Sequence, residues 1–212
     1  NDTIDFQKLK IERDWVSNKN IFTITGEILD TTGLDTLYRN IYNPSLFAAT
    51  IFKELLESNG TKVRYLSRKP QKLSKYNTLA THISDSLLIS ARNLMNESDN
   101  LTAELFVKLI GAMDTIPGTW STGIDSIKSF LSSEVEIDTS QIKLADGSGV
   151  SRYTLTNSDQ LVSLLSWAYK SQYKNDFIST LPGGGWPKST LEKRLVKEGD
   201  KVRAKTGGLS GV

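Results

Sequence analysis

Apolar residues recur at intervals of three and four along most of the middle of the chain, the pattern of helices that bury one face. Phe47, Ala48, Ile51, Phe52, Leu55 and Leu56 form such a stripe from Pro44 onward, with Ser45 placed to cap its start and Asn59-Gly60 to end it. A second helix is predicted from about Ser84, with Ile83, Leu87, Ala91 and Leu94 on one side. A third carries Leu101, Leu105 and Leu109 and closes at Gly111, and the polar run Asn96-Glu97-Ser98-Asp99-Asn100 joins the two. Ile124, Ile127 and Leu131 predict a fourth. Leu161, Leu164, Leu165 and Ala168 predict a fifth, opened by Asn157 with Gln160 three residues later as a capping box. Extended structure is predicted in two places. The β-branched and aromatic run Ile21-Phe22-Thr23-Ile24-Thr25 stops at Gly26, and Val202-Arg203-Ala204-Lys205-Thr206 alternates as a strand over 201–206 should. Residues 1–36 are otherwise polar, a basic, proline-containing connector occupies Arg64 to Lys75, and the chain holds no internal repeat or low-complexity tract.

Composition narrows the chemistry. The 212 residues are 38% hydrophobic and 24% charged, ordinary for a globular chain of one domain, or one plus a fragment. Lys and Arg number 26 against 24 Asp and Glu, so a net charge of +2 gives no electrostatic argument for nucleic acid or an anionic membrane. No apolar run is long enough for a transmembrane segment. With no cysteine, thiolate zinc sites, iron–sulfur clusters and a cysteine nucleophile are excluded. The lone histidine, His82, argues against a Ser-His-Asp triad or a His-rich metal site and reads as a surface loop residue; no metal and no cofactor is expected. Asn1-Asp2-Thr3 is neither an initiator methionine nor a signal sequence, and the chain ends straight after the 201–206 run, so we expect a piece of a longer protein.

Two tripeptides carry candidate chemistry: Ser98-Asp99-Asn100 and Lys205-Thr206-Gly207. Together with Ser-x-x-Lys they are the signature of penicillin-binding proteins and related β-lactamases. Each would arise by chance in roughly one chain in ten of this composition, so the flanks must decide. Ser-x-x-Lys itself occurs at Ser140-x-x-Lys143 and Ser171-x-x-Lys174, about the number chance supplies, and both follow Ser98 where the signature's order requires the nucleophile to precede it. Both are read as decoys. Gly183-Gly184-Gly185 lacks the following Lys-Ser/Thr of a phosphate loop and reads as a flexible loop, while Asp146-Gly147-Ser148-Gly149 is turn chemistry with an architectural role. The sequons at Asn59, Asn96 and Asn100 are common by chance and are set aside.

The flanks resemble one family. Met95-Asn96-Glu97-Ser98-Asp99-Asn100-Leu101-Thr102-Ala103-Glu104-Leu105, closed by Gly111, is similar to the second motif of the D-alanyl-D-alanine carboxypeptidases among the low-molecular-mass class C penicillin-binding proteins. Asp146 to Tyr153 resembles that family's Asp-Gly-Ser-Gly-Leu-Ser-Arg segment, Arg203-Ala204-Lys205-Thr206-Gly207 its third motif, and Asn43-Pro44 through Asn59-Gly60 its upstream region. The similarity is collinear from about residue 20 to 212.

The resemblance implies an α/β (α+β) architecture of the serine β-lactamase and penicillin-binding-protein transpeptidase kind, an antiparallel sheet flanked by helices plus a helical lobe, incomplete here. Residues 1–40 would be the tail of an inserted domain and 41–212 part of the catalytic domain. It implies a serine-type D-Ala-D-Ala carboxypeptidase or endopeptidase that trims peptidoglycan stem peptides, binds β-lactams and works outside the cytoplasmic membrane. Ser98 would shuttle the proton to the leaving group, Asn100 hold the substrate backbone, and Lys205 keep Ser98 acidic and attract the terminal carboxylate. Thr206 would hydrogen-bond that carboxylate and Gly207 admit the ligand close to backbone; Gly208 stands where the family usually has a hydroxyl, one carboxylate donor fewer. No Ser-x-x-Lys precedes Ser98, so this chain is expected to lack the nucleophile and to be inactive alone. The rivals are a non-catalytic module that binds cell-wall peptides and a β-lactamase or esterase on the same fold.

Overall fold

Helix propensity and capping residues set most element boundaries in the computed structural model, which describes residues 9–28, 38–64 and 77–208. The chain divides into two units, Asn1–Leu79 and Ala80–Val212.

In the first unit, strand β1 (Lys10–Arg13) pairs antiparallel with β2 (Phe22–Thr25), Lys10 opposite Thr25 and Arg13 opposite Phe22. The run predicted at 21–25 is β2. Strand β1 was not predicted because three of its four residues are charged, which leaves Ile11 as its single apolar position. Helix α1 (Pro44–Ser58) starts one residue before the expected cap Ser45: Asn43 is the N-cap, its side chain accepting from the Leu46 N–H at 3.1 Å. Pro44 then occupies the first helical position, where a missing N–H costs nothing. The Asn20 side chain brackets Tyr42, accepting from its N–H and donating to its carbonyl, and so ties the ribbon to the entry of α1. Apart from Arg64, the predicted basic connector lies outside the described residues.

The second unit holds α2 (Leu87–Glu97), α3 (Asn100–Asp114), α4 (Trp120–Ser133), α5 (Ser158–Lys170) and α6 (Lys174–Thr180). Helix α2 begins at Leu87 rather than Ser84, and α3 runs through Gly111 instead of stopping there. The reason for the second difference is packing. A Cβ at Gly111 would lie 2.4 Å from Thr122 Oγ1, and one at Gly123 would lie 1.9 Å from the Val107 carbonyl oxygen, so both glycines admit the close approach of α3 and α4. Asn157 and Gln160 form the predicted capping box of α5, and Thr119 and Thr122 form another on α4. Leu131, Val135, Ile137 and Ile142 are buried together, with Ile127, Leu144, Leu164 and Trp167 packed around them. Helix α6, only seven residues long, has too short a periodic signal to be predicted; Arg92 of α2 donates to the Ser179 carbonyl near its end.

Two expectations at the C-terminal end are corrected. The strand over 201–206 is a helical turn at Gly199–Lys201 followed by one antiparallel bridge, Arg203 to Gly183, extended by the Ala204 N–H to the Pro182 carbonyl. Pro182 has no N–H, so a regular ladder cannot continue through that partner segment. Nor is the triglycine a flexible loop. Gly183 and Gly184 are buried, and the N–H groups of Gly184 and Gly185 donate to the carbonyls of Gly199, Leu191 and Arg194. A Cβ at Gly184 would sit 2.0 Å from the Leu195 oxygen.

Candidate active site

Helix α2 ends and α3 begins within three residues, and this tight reversal presents Ser98. Ser98 terminates α2 in the left-handed conformation at φ 59°, and Asp99 then caps α3, its carboxylate accepting from the N–H groups of Leu101 and Thr102. The Asp99 carboxylate is thereby engaged at the helix terminus, and Ser98, Asp99 and Asn100 all line a cavity of about 340 Å³. The capping role of this tripeptide and its presence at a cavity coexist.

Lys205 reaches the same cavity from the far end of the chain. Its Nζ donates to Ser98 Oγ at 2.8 Å, across 107 positions of sequence, and also to the carbonyl of Thr206. Burial pushes the Lys205 ammonium below the ordinary lysine range. The backbone just before it is held by Arg203, which donates to the Leu181 carbonyl, stacks on the Trp186 ring at 4.2 Å and pairs with Asp200. Asp200 also accepts from Trp186 Nε1 at 2.7 Å. On the other side, the Thr190 N–H donates to the Asn96 carbonyl, joining this C-terminal segment to the last turn of α2. Thr206 lines the cavity; Gly207 and Gly208 follow it as exposed residues with open space around them and do not.

The remaining wall comes from Leu94, Met95 and Ala103 on the helices and from the Gly147-Ser148-Gly149 turn. That turn is closed from within by Asp146, whose carboxylate accepts from the Ser151 N–H at 2.7 Å and Thr154 Oγ1 at 2.7 Å. Glu104 holds it from outside, accepting from the Gly147 N–H, the Ser148 N–H and the Ser148 hydroxyl. Burial alone would raise both carboxyls, but the donors prevail: Ser148, Gly147 and Trp120 on Glu104, and Thr154, Ser151 and Ser148 on Asp146, hold them below the usual carboxylate values. Sequence patterning assigns Ser148 only to an architectural turn and gives Glu104 no role, although Glu104 stands four residues after Asn100 and so on the same helix face.

The two Ser-x-x-Lys matches lie away from this cavity. Ser171 donates to the Ala168 carbonyl and accepts from the Tyr173 N–H, and Lys174 rests on the Tyr169 ring at 3.6 Å. Ser140 lies in the short helical turn Thr139–Gln141. His82 is exposed. Among the described residues, no group of three or more His, Cys, Asp or Glu could hold a metal, and no helix is long and apolar enough to cross a membrane.

One cavity thus joins a Ser-x-Asn turn to the lysine of a Lys-Thr-Gly segment. Residues 6–212 match the D-Ala-D-Ala carboxypeptidase 3 (S13) family. The chain belongs to that family. It is 34% identical over 203 residues to the D-alanyl-D-alanine carboxypeptidase of Actinomadura sp. (strain R39), covering 91% of this chain and 37% of that protein. It is 31% identical over 180 residues to the carboxypeptidase DacB of Haemophilus influenzae, covering 81% of this chain and 36% of that protein. The crystal structure of penicillin-binding protein 4 (dacB) from H. influenzae, in complex with a β-lactam, superposes with a TM-score of 0.73 at 26% identity over 97% of this chain and 48% of the other. The fold is therefore that of penicillin-binding protein 4, and the described residues hold part of it: the β1–β2 ribbon, isolated bridges and the helices above. The chain spans little more than a third of the length of these two carboxypeptidases.

Proposed function

We propose that this chain supplies the second and third catalytic motifs of a serine-type D-Ala-D-Ala carboxypeptidase or endopeptidase, a hydrolase acting on peptidoglycan stem peptides through an acyl-enzyme. One observation carries the reading: Lys205 Nζ lies 2.8 Å from Ser98 Oγ beside a cavity large enough for a peptide terminus. Attack on an amide needs a base for the incoming hydroxyl and an acid for the departing amine. Without a usable histidine, a serine hydroxyl next to an ammonium does that work. Lys205 stabilises negative charge developing on Ser98, and Ser98 returns the proton to the leaving D-alanine. Asn100 holds the substrate backbone, while Thr206 and the positive potential of Lys205 engage the terminal carboxylate. Gly207 keeps the chain after Thr206 free of side-chain bulk, and Gly208 contributes no hydroxyl there.

The nucleophile is proposed to come from a Ser-x-x-Lys outside these 212 residues, since none precedes Ser98 within them. We assign 1–40 to the end of an inserted domain and 41–212 to the catalytic domain, and the S13 relationship favours work outside the cytoplasmic membrane, in the periplasm or an equivalent cell-wall compartment, with β-lactams as covalent inhibitors.

The test is a labelled penicillin incubated with the full-length protein, then denaturation and peptide mapping. The expected result is a covalent adduct on a serine outside residues 1–212. An adduct on Ser140 or Ser171 would overturn the site, and a full-length protein that binds stem peptides without acylation would support the non-catalytic module instead. Acylation followed by rapid release of hydrolysed penicillin, with no peptide turnover, would favour the β-lactamase reading.

A further inference from the structure

One carboxylate in this site is more heavily engaged than the proposed chemistry requires. Glu104 accepts four hydrogen bonds: Trp120 Nε1 at 2.7 Å and the Gly147 N–H at 3.1 Å on one oxygen, the Ser148 N–H at 3.0 Å and Ser148 Oγ at 2.6 Å on the other. The donors come from α4 and from the turn that walls the Ser98 cavity. The turn does not depend on Glu104 for its internal shape, which Asp146 closes through Ser151 and Thr154. What Glu104 adds is placement. It stands one helical turn after Asn100 on α3, about 6 Å along the axis, so its bonds register the turn against the face that presents Asn100. The approach leaves no slack: a Cβ at Gly147 would lie 2.5 Å from the Ala103 carbonyl oxygen.

We propose that Glu104 is a positioning residue of the acyl-transfer site, acting through Gly147 and Ser148 to fix the turn that walls the Ser98 cavity. The proposal rests on the carboxypeptidase reading. Neither oxygen of Glu104 faces the reaction; both are occupied by donors of the wall and of Trp120. In Glu104→Gln one oxygen becomes an amide nitrogen, which donates, and it must face either the Trp120 and Gly147 N–H groups or the Ser148 N–H and hydroxyl. Facing the first pair loses both bonds; facing Ser148 loses its N–H bond and leaves the hydroxyl to accept from the amide instead of donating. Ser148→Ala removes the hydroxyl bond to Glu104, and with it the longer one to Asp146 at 3.2 Å, but keeps the Ser148 N–H bond. Because a site held loosely by even 1 Å loses much of its rate, the effect falls on acylation and not merely on stability.

The experiment uses the full-length protein and compares wild type, Glu104→Gln, Ser148→Ala and the double variant, reading the acylation rate constant with labelled penicillin, the stoichiometric end point, peptide kcat and KM, and melting temperature. The expected result for Glu104→Gln is an unchanged end point, near one adduct per molecule, with an acylation rate lowered about tenfold or more. Ser148→Ala should fall less, and the loss in the double variant should be smaller than the product of the two single losses, because the two residues share a contact. A folded Glu104→Gln with wild-type rate constants overturns the positioning role, as does a double variant in which the two losses multiply. A lowered end point with unchanged rate constants in the surviving fraction also overturns it, because that is the mark of a purely structural residue. A wild type that takes up no penicillin refutes the enzymatic reading and the role of Glu104 with it; an acylated wild type leaves that reading standing whatever the variants do.

Discussion

Replacing Lys205 by methionine removes the ammonium while keeping a flexible chain of similar bulk. The structure sets the size of the loss. A full unit charge on Ser98 Oγ, 2.8 Å from Nζ, would interact with the ammonium by about 6 kcal/mol at an effective dielectric constant of about 20. The hydroxyl carries only part of a charge at the transition state, and Lys205 is exposed enough for solvent to screen it, which brings the figure to roughly half or less. About 3 kcal/mol corresponds to a loss on the order of 10²-fold in acylation, comparable with the loss of one oxyanion donor. Stability should scarcely change, since the Nζ partners recorded for Lys205 are the Ser98 hydroxyl and a neighbouring backbone carbonyl. Lys205→Arg should recover only part of the rate, because a planar fork does not replace a compact ammonium beside one hydroxyl. Stopped-flow acylation with a reporter β-lactam and thermal melts of the three full-length proteins give both quantities. A methionine variant that acylates at the wild-type rate would remove Lys205 from the mechanism, and one that fails to fold would make it a structural residue.

Because burial lowers the pKa of Lys205, the alkaline fall in acylation should begin below the ordinary lysine value of 10.5 and be absent in Lys205→Arg; rate profiles between pH 7 and 11 check this. The same shift makes the desolvated ammonium a cost to folding at neutral pH, and that cost fades as pH rises through the lowered pKa. Glu104 and Asp146 have the opposite sign: their stabilisation is fully present above the ordinary values of 4.5 and 3.8 and is lost as pH falls through their lowered folded values. Urea midpoints measured from pH 7 down to 3 should decline less steeply in Glu104→Gln and Asp146→Asn than in wild type. Gly123→Ala, with its Cβ 1.9 Å from the Val107 oxygen, should force α3 and α4 apart and cost about 1–3 kcal/mol in denaturant unfolding, whereas Gly149→Ala, which meets no neighbour, should be limited to the strain of φ +74°. Leu131→Ala should cost about 2–5 kcal/mol, because its buried neighbours Val135, Ile137 and Ile142 cannot all collapse into the space.

Local rules were enough wherever a residue answers to its sequence neighbours. Helix periodicity placed α3, α4 and α5, the Asn157–Gln160 box opened α5, and the polar run 96–100 marked the reversal that carries Ser98. The motif residues Ser98, Asn100, Lys205 and Thr206 were also legible one by one, because their identities and flanks are distinctive. Tertiary structure decided what those residues meet. Nothing in the alternation of 202–206 reveals that its partner segment contains Pro182, which limits the pairing to a bridge, and nothing in a triglycine reveals that the Leu195 backbone will occupy the space a Cβ needs. Gly111 read as a helix stop because glycine ends many helices, yet here α4 presses on it, and a contact between helices has no local signature. Glu104 is the strongest case. Its place on the Asn100 face follows from spacing, but its donors lie 16 and 43–44 residues away, on elements whose arrival beside α3 is fixed only when the helices and turns pack together. The 2.8 Å between Ser98 and Lys205 has the same origin: chain connectivity separates the two by 107 residues, and the segment that delivers Lys205 is anchored by Arg203, Trp186, Asp200 and Thr190 through contacts that exist only in the folded chain.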